Sequence, residues 1–594
     1  MFRAAALVTV LAACGDNYPL QPDGSQCSFR TAADEVTPPP LFTPRWAFRP
    51  WISKDISDGA DTRAFVAGFR ERDIPVGAIV IDSPWATHYN TFVVNETRYP
   101  DFLGLVDELH AQDIRVVMWT TQMVNRTGFD VEIGGDVYEG PAPNFEQGKT
   151  CGFYVDDGAT YLWWKGLGAG IDFFDPQAVA WWHRQQDALL DAGLDGWKLD
   201  FGEEYLPDTL ATDAGTVALQ QYSEAYYADF LAYARSKRPE FVTMVRPYDQ
   251  SYSRPGRFFA RREHAPVGWV GDQRRDWIGL ADALDHIFRS ADAGYVVLGS
   301  DVGGYLDRDE EDLGGDVIPF DTLVLARWTA MSALMPWMQL HGRANIAPWT
   351  VPDHVDETVA MYRYWATLHD ELVPWMYSVA RAAQQGQGGM LRPIGDQAAW
   401  AGDYRYTLGD VLLVAPLLDA TNVRDIPLPA GRWYDWWHPE DAALDGGQTL
   451  AAYAVPERDR FPLFVREGAI IPVDAGSTVT GLGSPARADA LTVLVWPAAA
   501  TSTFDLVDDD DAPTQITAST GAIHLSRTLA PTYLRVRLDT APAGVTVNDA
   551  TVASQASDAA LEAAAAGWRY DAASRWLWIK VPAAATATGI AITP

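Results

Sequence analysis

Residues 195–203 read Asp-Gly-Trp-Lys-Leu-Asp-Phe-Gly-Glu, a short apolar stretch that ends in charged side chains. A helical pattern at 178–192 precedes it, and a second one at 217–236 follows it. The same alternation extends along the chain, with further buried-strand patterns at 76–81, 114–119, 241–246, 295–301 and 336–341. Apolar strands alternating with helices indicate a parallel sheet. Because several of these strands end in Asp, Trp, Arg or His, we predict a (β/α)8 barrel with a site at that face.

The pattern changes at about residue 395, where helical segments stop. Short alternating strands such as 411–416 and 461–465 follow, separated by Gly and Pro turns. This texture is typical of β-sandwiches and continues after about residue 474. We therefore expect four parts: a signal and tether at 1–40, a catalytic (β/α)8 TIM barrel at 41–390, and two C-terminal β-sandwich domains at 391–474 and 475–594.

The first residues predict export. A single positive charge at Arg3 precedes a short apolar run from Ala4 to Ala13, which is too short to cross a bilayer of ~30 Å. Leu11-Ala-Ala-Cys14 resembles a bacterial lipoprotein box, so Cys14 is predicted to carry the lipid; the alternative is an ordinary signal peptide cut nearby. The expected location is the bacterial cell envelope, in the periplasm or at the cell surface. The membrane would be contacted only through this anchor.

Composition excludes several classes of protein. Hydrophobic types make up 48% of the 594 residues, which excludes extensive disorder. The formal net charge of −34 argues against a nucleic-acid or anionic-membrane surface. With 24 Trp, the chain fits a secreted enzyme that acts on neutral ligands.

Cysteine usage is sparse. Cys14, Cys27 and Cys151 are too few for a disulfide scaffold or a Cys-rich zinc site. If Cys14 is lipidated, Cys27 and Cys151 could pair in an oxidising compartment. Two unpaired thiols are the alternative.

Two carboxylates stand out in strand-end segments. Lys198 lies two residues before Asp200, so both side chains face the same way on a strand, and the ammonium would keep Asp200 ionised as a nucleophile requires. In Trp-Val-Gly-Asp at 269–272, Gly271 allows the turn that projects Asp272 into a pocket. Two such carboxyl groups, facing each other across a sugar ring, are the catalytic groups that glycoside hydrolysis uses. The alternative for each is a structural cap on the following helix.

The motifs, taken in order, resemble glycoside hydrolase family 31, the α-glucosidase and α-xylosidase group. The resemblance rests on Lys-Leu-Asp-Phe-Gly-Glu at 198–203, Trp-Val-Gly-Asp at 269–272, Ser-Asp-Val-Gly-Gly-Tyr at 300–305, and His341-Gly342 followed by Pro348-Trp349. It covers roughly residues 46–473. Lys198 and Phe201 look more like the α-xylosidase side of the family.

The resemblance implies a retaining, exo-acting α-glycosidase that needs no metal or organic cofactor. Asp200 would be the nucleophile and Asp272 the general acid/base, with their carboxyl groups ~5–5.5 Å apart. The implied partner is an oligosaccharide or α-glycoside substrate. The implied substrate-binding residues are Asp82, Trp119, Lys198, Arg246, Trp269, Asp301, Tyr305 and His341. Asp82 would bind hydroxyls at the far end of the pocket, although a buried Asp82–Arg246 pair could be purely architectural.

Several alternatives stay open at this stage. The sugar could be an α-xyloside, α-galactoside or α-glucoside. The chain could be an α-transglycosylase on the same scaffold, or a non-catalytic carbohydrate-binding surface protein. Arg274 and Arg275 could meet an anionic substituent, although exposed charge is preferred. Acidic clusters at 307–312 and 508–511 could bind calcium, but solvated loops fit their spacing better.

The start of the chain differs from the family pattern. Family members normally carry a β-sandwich ahead of the barrel, and a loop from it shapes the pocket. Here only a short stretch precedes Trp46. We expect either a more open pocket or a substitute wall, for which the Gly- and aromatic-rich segment 127–171 is the candidate.

Overall fold

The computed structural model describes residues 27–309, 315–458, 460–508 and 511–594. The predicted export signal, the lipidation site Cys14 and the first part of the tether lie outside the described residues. Parts of both acidic clusters, 310–312 and 509–510, also lie outside them. None of the helices in the described ranges combines the length and apolar character needed to span a lipid bilayer.

Eight parallel strands form the barrel predicted from the sequence. They are β1 (Trp51–Lys54), β2 (Ala78–Ile81), β3 (Arg115–Thr120), β4 (Gly196–Leu199), β5 (Val242–Val245), β6 (Val267–Trp269), β7 (Leu298–Gly299 and Asp301–Val302) and β8 (Gln339–Leu340). Strand β7 is interrupted at Ser300; its first part pairs with β6 and its second with β8, while β8 also pairs with β1. The sheet therefore closes on itself.

Helices cover the outside of this sheet. They are α1 (Gly59–Arg70), α2 (Phe102–His110), α3 (Pro176–Asp191), α4 (Leu219–Lys237), α5 (Trp277–Asp292), α6 (Thr322–Ala333), α7 (Val355–Glu371) and α8 (Val373–Gln384). Local chemistry sets their starts: the Asp175 side chain accepts a hydrogen bond from the Gln177 amide, with Pro176 at the first helical position. Because the helices bury the outer face, all four residues of β2 are apolar and buried.

Besides short hairpins in the β4–α4 and β7–α6 links, two connections depart further from the simple alternation. The link from β5 to β6, all of whose residues are described, holds a two-stranded hairpin (Tyr248–Asp249 with Arg257–Phe258) and 3-10 turns, with no α-helix. The link from β3 to α3 is long, and we call residues 121–175 the β3–α3 insertion. It folds as a three-stranded antiparallel sheet and a short helix: Met123–Gly128, Tyr161–Trp163, Gly166–Gly170 and Phe145–Cys151.

A disulfide joins the insertion to the start of the described chain. Cys27 and Cys151 are bonded, with their Cα atoms 5.2 Å apart. Of the two alternatives left by the sequence, the structure therefore has the pair. The bond ties the insertion's short helix to the segment that precedes the barrel.

Antiparallel sheets follow the barrel. The first group has a six-stranded sheet of 391–393, 406–408, 412–414, 432–435, 444–445 and 463–466, beside a two-stranded sheet of 423–427 and 449–454. The second has a five-stranded sheet of 470–473, 491–495, 532–537, 567–571 and 576–581, and a six-stranded sheet of 502–507, 513–518, 522–525, 544–547, 550–552 and 588–593. The two sheets of the second group share one apolar core, which is the arrangement of a sandwich.

One strand changes partner relative to our expectation. Ile470–Val473, which we assigned to the first sandwich, pairs with Leu491–Val495 of the second. The apolar sequence gives the strand a buried face in either sheet, and only the hydrogen-bond partner distinguishes them. Within the second group, Leu491–Val495 and Thr532–Arg537 run parallel.

Candidate active site

A cavity of about 740 Å³ opens at the carboxyl ends of the barrel strands. Six of the ten site residues singled out from the sequence line it: Asp82, Trp119, Lys198, Asp200, Asp272 and Tyr305. These residues lie at the ends of five different strands, β2, β3, β4, β6 and β7, so the closed barrel brings them together although they are far apart in the chain.

Asp200 directly follows β4 and is held by three donors. The Trp119 indole Nε1 donates to Oδ2 at 2.9 Å, while the Phe201 amide and Arg246 Nη2 each donate to Oδ1 at 2.9 Å. Burial alone would raise the pKa of Asp200. The charges of Arg246 and Lys198 together with these hydrogen bonds outweigh burial and hold the pKa below its ordinary value. This carboxyl group is ionised.

Asp272 follows β6 through a turn that requires glycine. Gly271 has a φ of +97°, and a Cβ atom there would lie 2.2 Å from Asp249 Oδ1. The Asp272 amide donates to Ser251 Oγ at 2.8 Å, which fixes the backbone of the turn. Burial, reinforced by the charge of Asp200 and opposed by Arg246, raises the pKa of Asp272 to about 6.

Arg246 links the two carboxyl groups. Its Nη2 lies 2.9 Å from Asp200 Oδ1 and 2.7 Å from Asp272 Oδ2. Since both distances share one nitrogen atom, these two oxygens are at most about 5.6 Å apart. Carboxyl groups of retaining glycosidases are ~5–5.5 Å apart and those of inverting ones ~6.5–9.5 Å. The guanidinium is itself fixed between the rings of Phe201 and Trp269, 3.8 Å from each centroid.

The two carboxyl groups are thus pushed towards opposite protonation states. Asp200 is ionised, and Asp272 keeps its proton up to mildly acidic pH. Two neighbouring carboxyl groups whose environments separate their pKa values in this way can serve as nucleophile and acid. The arrangement can therefore attack an electrophilic carbon on one side and protonate a departing oxygen on the other.

A second charged group lies beside Asp200. Lys198 Nζ is 2.7 Å from Asp82 Oδ2 and 3.2 Å from His341 Nε2. Burial and the charge of Lys198 hold the pKa of His341 well below its usual value, so the imidazole is neutral. Asp55, Asp82 and His341 lie close enough to one another to ligate a metal ion. However, the Lys198 ammonium already sits against Asp82 and His341, so a metal ion would have to displace it.

The other four predicted residues support the cavity from behind its wall. Arg246 and His341 act through the contacts described above. Trp269 Nε1 donates to Asp301 Oδ2 at 3.1 Å, and Gln339 Nε2 donates to Asp301 Oδ1 at 2.9 Å. Asp301 is fully buried, so its contacts are with Trp269 and Gln339 and it does not line the cavity. Arg246 stacks on Trp269, which is bonded to Asp301, so these three side chains form one contact network behind the cavity wall.

The β3–α3 insertion forms much of the wall, as expected for segment 127–171. Its lining residues are Phe129, Val131, Glu132, Leu162, Trp163, Trp164 and Lys165. The Gly- and aromatic-rich composition indicated the segment, but no motif indicated Glu132 or Lys165. Phe201, which lies in the motif at 198–203, also lines the cavity. No sequence pattern indicated the residues that complete the lining, which are Asp55, Ser83, Tyr205, Tyr252, Arg254, Pro255 and Arg343.

Arg274 and Arg275 are not part of this cavity. Arg274 Nη2 pairs with Asp276 at 2.6 Å, and Arg275 Nε donates to the Ile318 carbonyl at 2.8 Å. The idea that they meet an anionic substituent is therefore wrong, since neither lines the cavity and both are engaged in local contacts.

Comparison with known proteins gives two family matches. The model of the glycosyl hydrolases family 31 TIM-barrel domain matches residues 40–379, more than half of the chain. The model of the glycosyl hydrolase family 31 C-terminal domain matches residues 388–471.

Individual relatives are distant. An isomaltosyltransferase from Sporosarcina globispora is 23% identical, over 94% of this chain and 53% of that protein. An α-xylosidase from Emericella nidulans is 23% identical, over 74% of this chain and 55% of that protein. A cycloalternan-forming enzyme from Listeria monocytogenes, solved with a pentasaccharide substrate, superposes with a TM-score of 0.78 at 23% identity, over 94% of this chain and 55% of that one. The chain spans about half the length of the curated relatives it matches.

Proposed function

The chain belongs to glycosyl hydrolase family 31, and from that premise we propose that it is a retaining, exo-acting α-glycosidase. It hydrolyses terminal α-linked sugars by double displacement, with Asp200 and Asp272 as the catalytic residues. The observation that carries the proposal is the pair of carboxyl groups joined by Arg246 Nη2, in surroundings that lower the pKa of Asp200 and raise that of Asp272 to about 6.

The first step forms a glycosyl-enzyme. A carboxylate oxygen of Asp200 bonds to the anomeric carbon, and the bond from that carbon to the leaving oxygen breaks. Asp272 transfers its proton to the leaving oxygen, so the aglycone departs as a neutral alcohol. Trp119 and Arg246 hold the Asp200 carboxylate in place for this attack.

The second step releases the sugar. The Asp272 carboxylate takes a proton from a water molecule while the water oxygen bonds to the anomeric carbon. The bond between that carbon and Asp200 breaks, so the carboxylate is regenerated and the α configuration is restored. Arg246 remains bonded to both carboxyl groups and compensates the charge that moves between them.

Transglycosylation is the second candidate. Trp164 and Tyr205 line the cavity with their ring centroids 5.2 Å apart, and aromatic faces of this kind can bind an acceptor sugar. Two relatives are described as an isomaltosyltransferase and a 1,6-α-glucosyltransferase. Product analysis at high acceptor concentration separates the candidates: new oligosaccharides support transfer, and free sugar alone supports hydrolysis.

A panel of nitrophenyl α-glycosides tests the proposal. We expect release of nitrophenol from at least one of the α-glucoside, α-galactoside and α-xyloside, and none from the matched β-glycosides. If every α-glycoside is inert while glycans bind, the non-catalytic carbohydrate-binding alternative replaces the enzyme.

The protonation states predict a bell-shaped pH profile of kcat/KM. Asp272 must carry a proton to act as acid, so activity falls as pH rises through about 6. Asp200 must be ionised, so the acid limb lies below the ordinary aspartate value. Rates measured from pH 3 to 9 test this, with Asp272→Ala as the comparison on an α-glycosyl fluoride. The variant should lose the basic limb; an unchanged basic limb in the variant would assign that limb to another group.

We also propose that the chain is exported and lipidated at Cys14. The Leu11-Ala-Ala-Cys14 stretch supports this, as does the Cys27–Cys151 bond, which suits an oxidising compartment. Labelling cells with a radioactive fatty acid should mark the full-length chain but not Cys14→Ser. Equal labelling of both would contradict the proposal.

A further inference from the structure

A polar wall closes the cavity beyond Asp82. We call it the end wall; it consists of Asp55, Glu132, Lys165, Tyr305 and Arg343, all of which line the cavity. Asp55 follows β1, Tyr305 follows β7 and Arg343 follows β8, whereas Glu132 and Lys165 come from the β3–α3 insertion. The end wall is therefore assembled from four separate parts of the chain.

The position of the end wall is set by Asp82. Lys198 bridges from the region of Asp200 to Asp82, and Asp82 has a carboxylate oxygen within 4.8 Å of one from Asp55. Asp272 follows β6, which lies four strands from β2 in either direction around the closed sheet, and Asp200 follows β4, midway between β2 and β6. A sugar with its anomeric carbon between the two catalytic carboxyl groups thus directs its opposite end, C4 and C6, towards Asp82 and the end wall.

Tyr305 connects the carboxyl groups of the end wall. Its hydroxyl oxygen is 2.7 Å from Asp55 Oδ2 and 2.9 Å from Glu132 Oε1. A tyrosine hydroxyl carries one proton and can donate to only one of them, so the other contact needs a proton on the carboxyl group. Burial, with the charges of Glu132 and Asp82, raises the pKa of Asp55 well above its ordinary value. Asp55 therefore donates to Tyr305, which donates to Glu132, and Asp55 Oδ1 remains as an acceptor.

Glu132 is held in its ionised form by the insertion itself. The Lys165 ammonium bonds to Glu132 and also to Asp130 Oδ2 at 2.8 Å, and its side chain is only 1% exposed. Although burial alone would raise the pKa of Glu132, the charge of Lys165 lowers it below its ordinary value. Buried ion pairs of this kind are costly to assemble, and apolar side chains would close the cavity at lower cost.

Arg343 brings unused donors to the same wall. Its Nε and Nη1 atoms are buried and make no hydrogen bond within the described part of the chain. The nearest carboxylate oxygens, on Glu132 and Asp307, are 3.8 Å and 3.7 Å away, beyond hydrogen-bonding distance. Nε and Nη1 are shielded from the cavity, so a hydroxyl group of a bound sugar would contact Arg343 through Nη2, the remaining guanidinium nitrogen, on a side chain that is 16% exposed and lines the cavity.

We infer that Asp55 and Arg343 bind the hydroxyl groups at the C4–C6 end of the terminal sugar, so that the substrate is a hexopyranoside and not a pentoside. A hexose hydroxyl can donate to Asp55 and accept from Arg343. A xyloside keeps the C4 hydroxyl but has only hydrogen atoms where the hexoside has C6 and its hydroxyl, so it leaves the partner of the C6 hydroxyl unpaired. Glu132 and Lys165 are positioning residues that act through Tyr305. The inference rests on the proposed function for the orientation of the sugar.

The test measures kcat/KM of the wild type and of each variant on the hexoside, on its deoxy analogues and on the xyloside. Wild-type kcat/KM should be at least about 100-fold higher for the preferred nitrophenyl α-hexoside than for its 6-deoxy or 4-deoxy analogue and for the α-xyloside. Arg343→Leu should lose about 100-fold on the hexoside and treat hexoside and deoxy analogue within about threefold of each other. Arg261→Leu, an exposed arginine paired with Glu224, should discriminate as the wild type does.

A second readout does not require turnover. By calorimetry, wild-type protein should bind a hexose-configured iminosugar at least tenfold more tightly than its xylose-configured counterpart, and Arg343→Leu should bind both alike. Wild-type discrimination retained in Arg343→Leu, or a xyloside equal to the hexoside, would overturn the inference. Protein that is catalytically inert but shows this binding preference would refute the proposed function and keep the inference.

Discussion

Replacing Asp200 with asparagine is expected to lower kcat/KM by about 10⁴-fold or more, with the fold unchanged. The amide keeps the shape of the carboxyl group but cannot form the bond to the anomeric carbon. Arg246 retains Asp249 and Asp272 as partners, so its charge stays compensated in the variant. Steady-state rates on the preferred nitrophenyl α-glycoside give the size of the loss.

Asp191→Asn is the matched control for this substitution. Asp191 is an exposed residue at the end of α3, so its variant should retain wild-type rates. Circular dichroism and melting temperature should agree among the three proteins. Turnover by Asp200→Asn within tenfold of the wild type would exclude Asp200 as the nucleophile.

Replacing Asp272 with alanine is expected to lower the rate by an amount that depends on the leaving group of the substrate. Loss of the proton donor should cost ~10²–10⁴-fold on disaccharides, whose leaving alcohol needs protonation. Nitrophenyl glycosides and glycosyl fluorides need little protonation, so their first step should be far less affected. The second step also loses its base, and glycosyl-enzyme should therefore accumulate on these activated substrates.

Added azide should distinguish this role from a general loss of structure. A small anion can enter the space left by the carboxyl group and attack the glycosyl-enzyme without a base. We expect azide to restore turnover of the nitrophenyl glycoside by Asp272→Ala and to yield an α-glycosyl azide. Wild-type enzyme serves as the control and should be unaffected. Equal losses on activated and unactivated substrates, without azide rescue, would contradict an acid/base role.

Most of the barrel could be predicted from the sequence because most of its strands are continuous apolar runs. The patterns at 76–81, 114–119 and 241–246 match β2, β3 and β5 to within two residues. Strand β1 was missed because Trp51–Lys54 has only two apolar residues before Ser53 and Lys54. Strand β6 has three residues, one of them Gly268, too few to show a period.

The residues of the site could be predicted from the sequence only where they lie in strand-end motifs. Asp200 and Asp272 lie in such motifs, and their neighbours Lys198 and Gly271 indicated the roles that we propose for them. Asp55 is 250 positions from Tyr305, so their hydrogen bond leaves no local pattern. No local sequence pattern indicated Glu132 or Lys165 either.

These two insertion residues are single charged positions in a Gly- and aromatic-rich segment, and solvated charged side chains are the usual expectation. Only the folded insertion shows that Glu132 and Lys165 face the cavity with side chains 9% and 1% exposed. Partner choice across long separations is a tertiary property, as it is for Cys27 with Cys151.

The central claim is that Asp200 becomes covalently attached to the sugar. Incubation with a 5-fluoro-α-glycosyl fluoride of the preferred configuration, followed by peptide mass spectrometry, tests it directly. We predict one added fluoroglycosyl mass, located on the peptide that contains Asp200. Inactivation with the label on a different residue, or steady turnover to a β-configured first product with no adduct, would contradict the account.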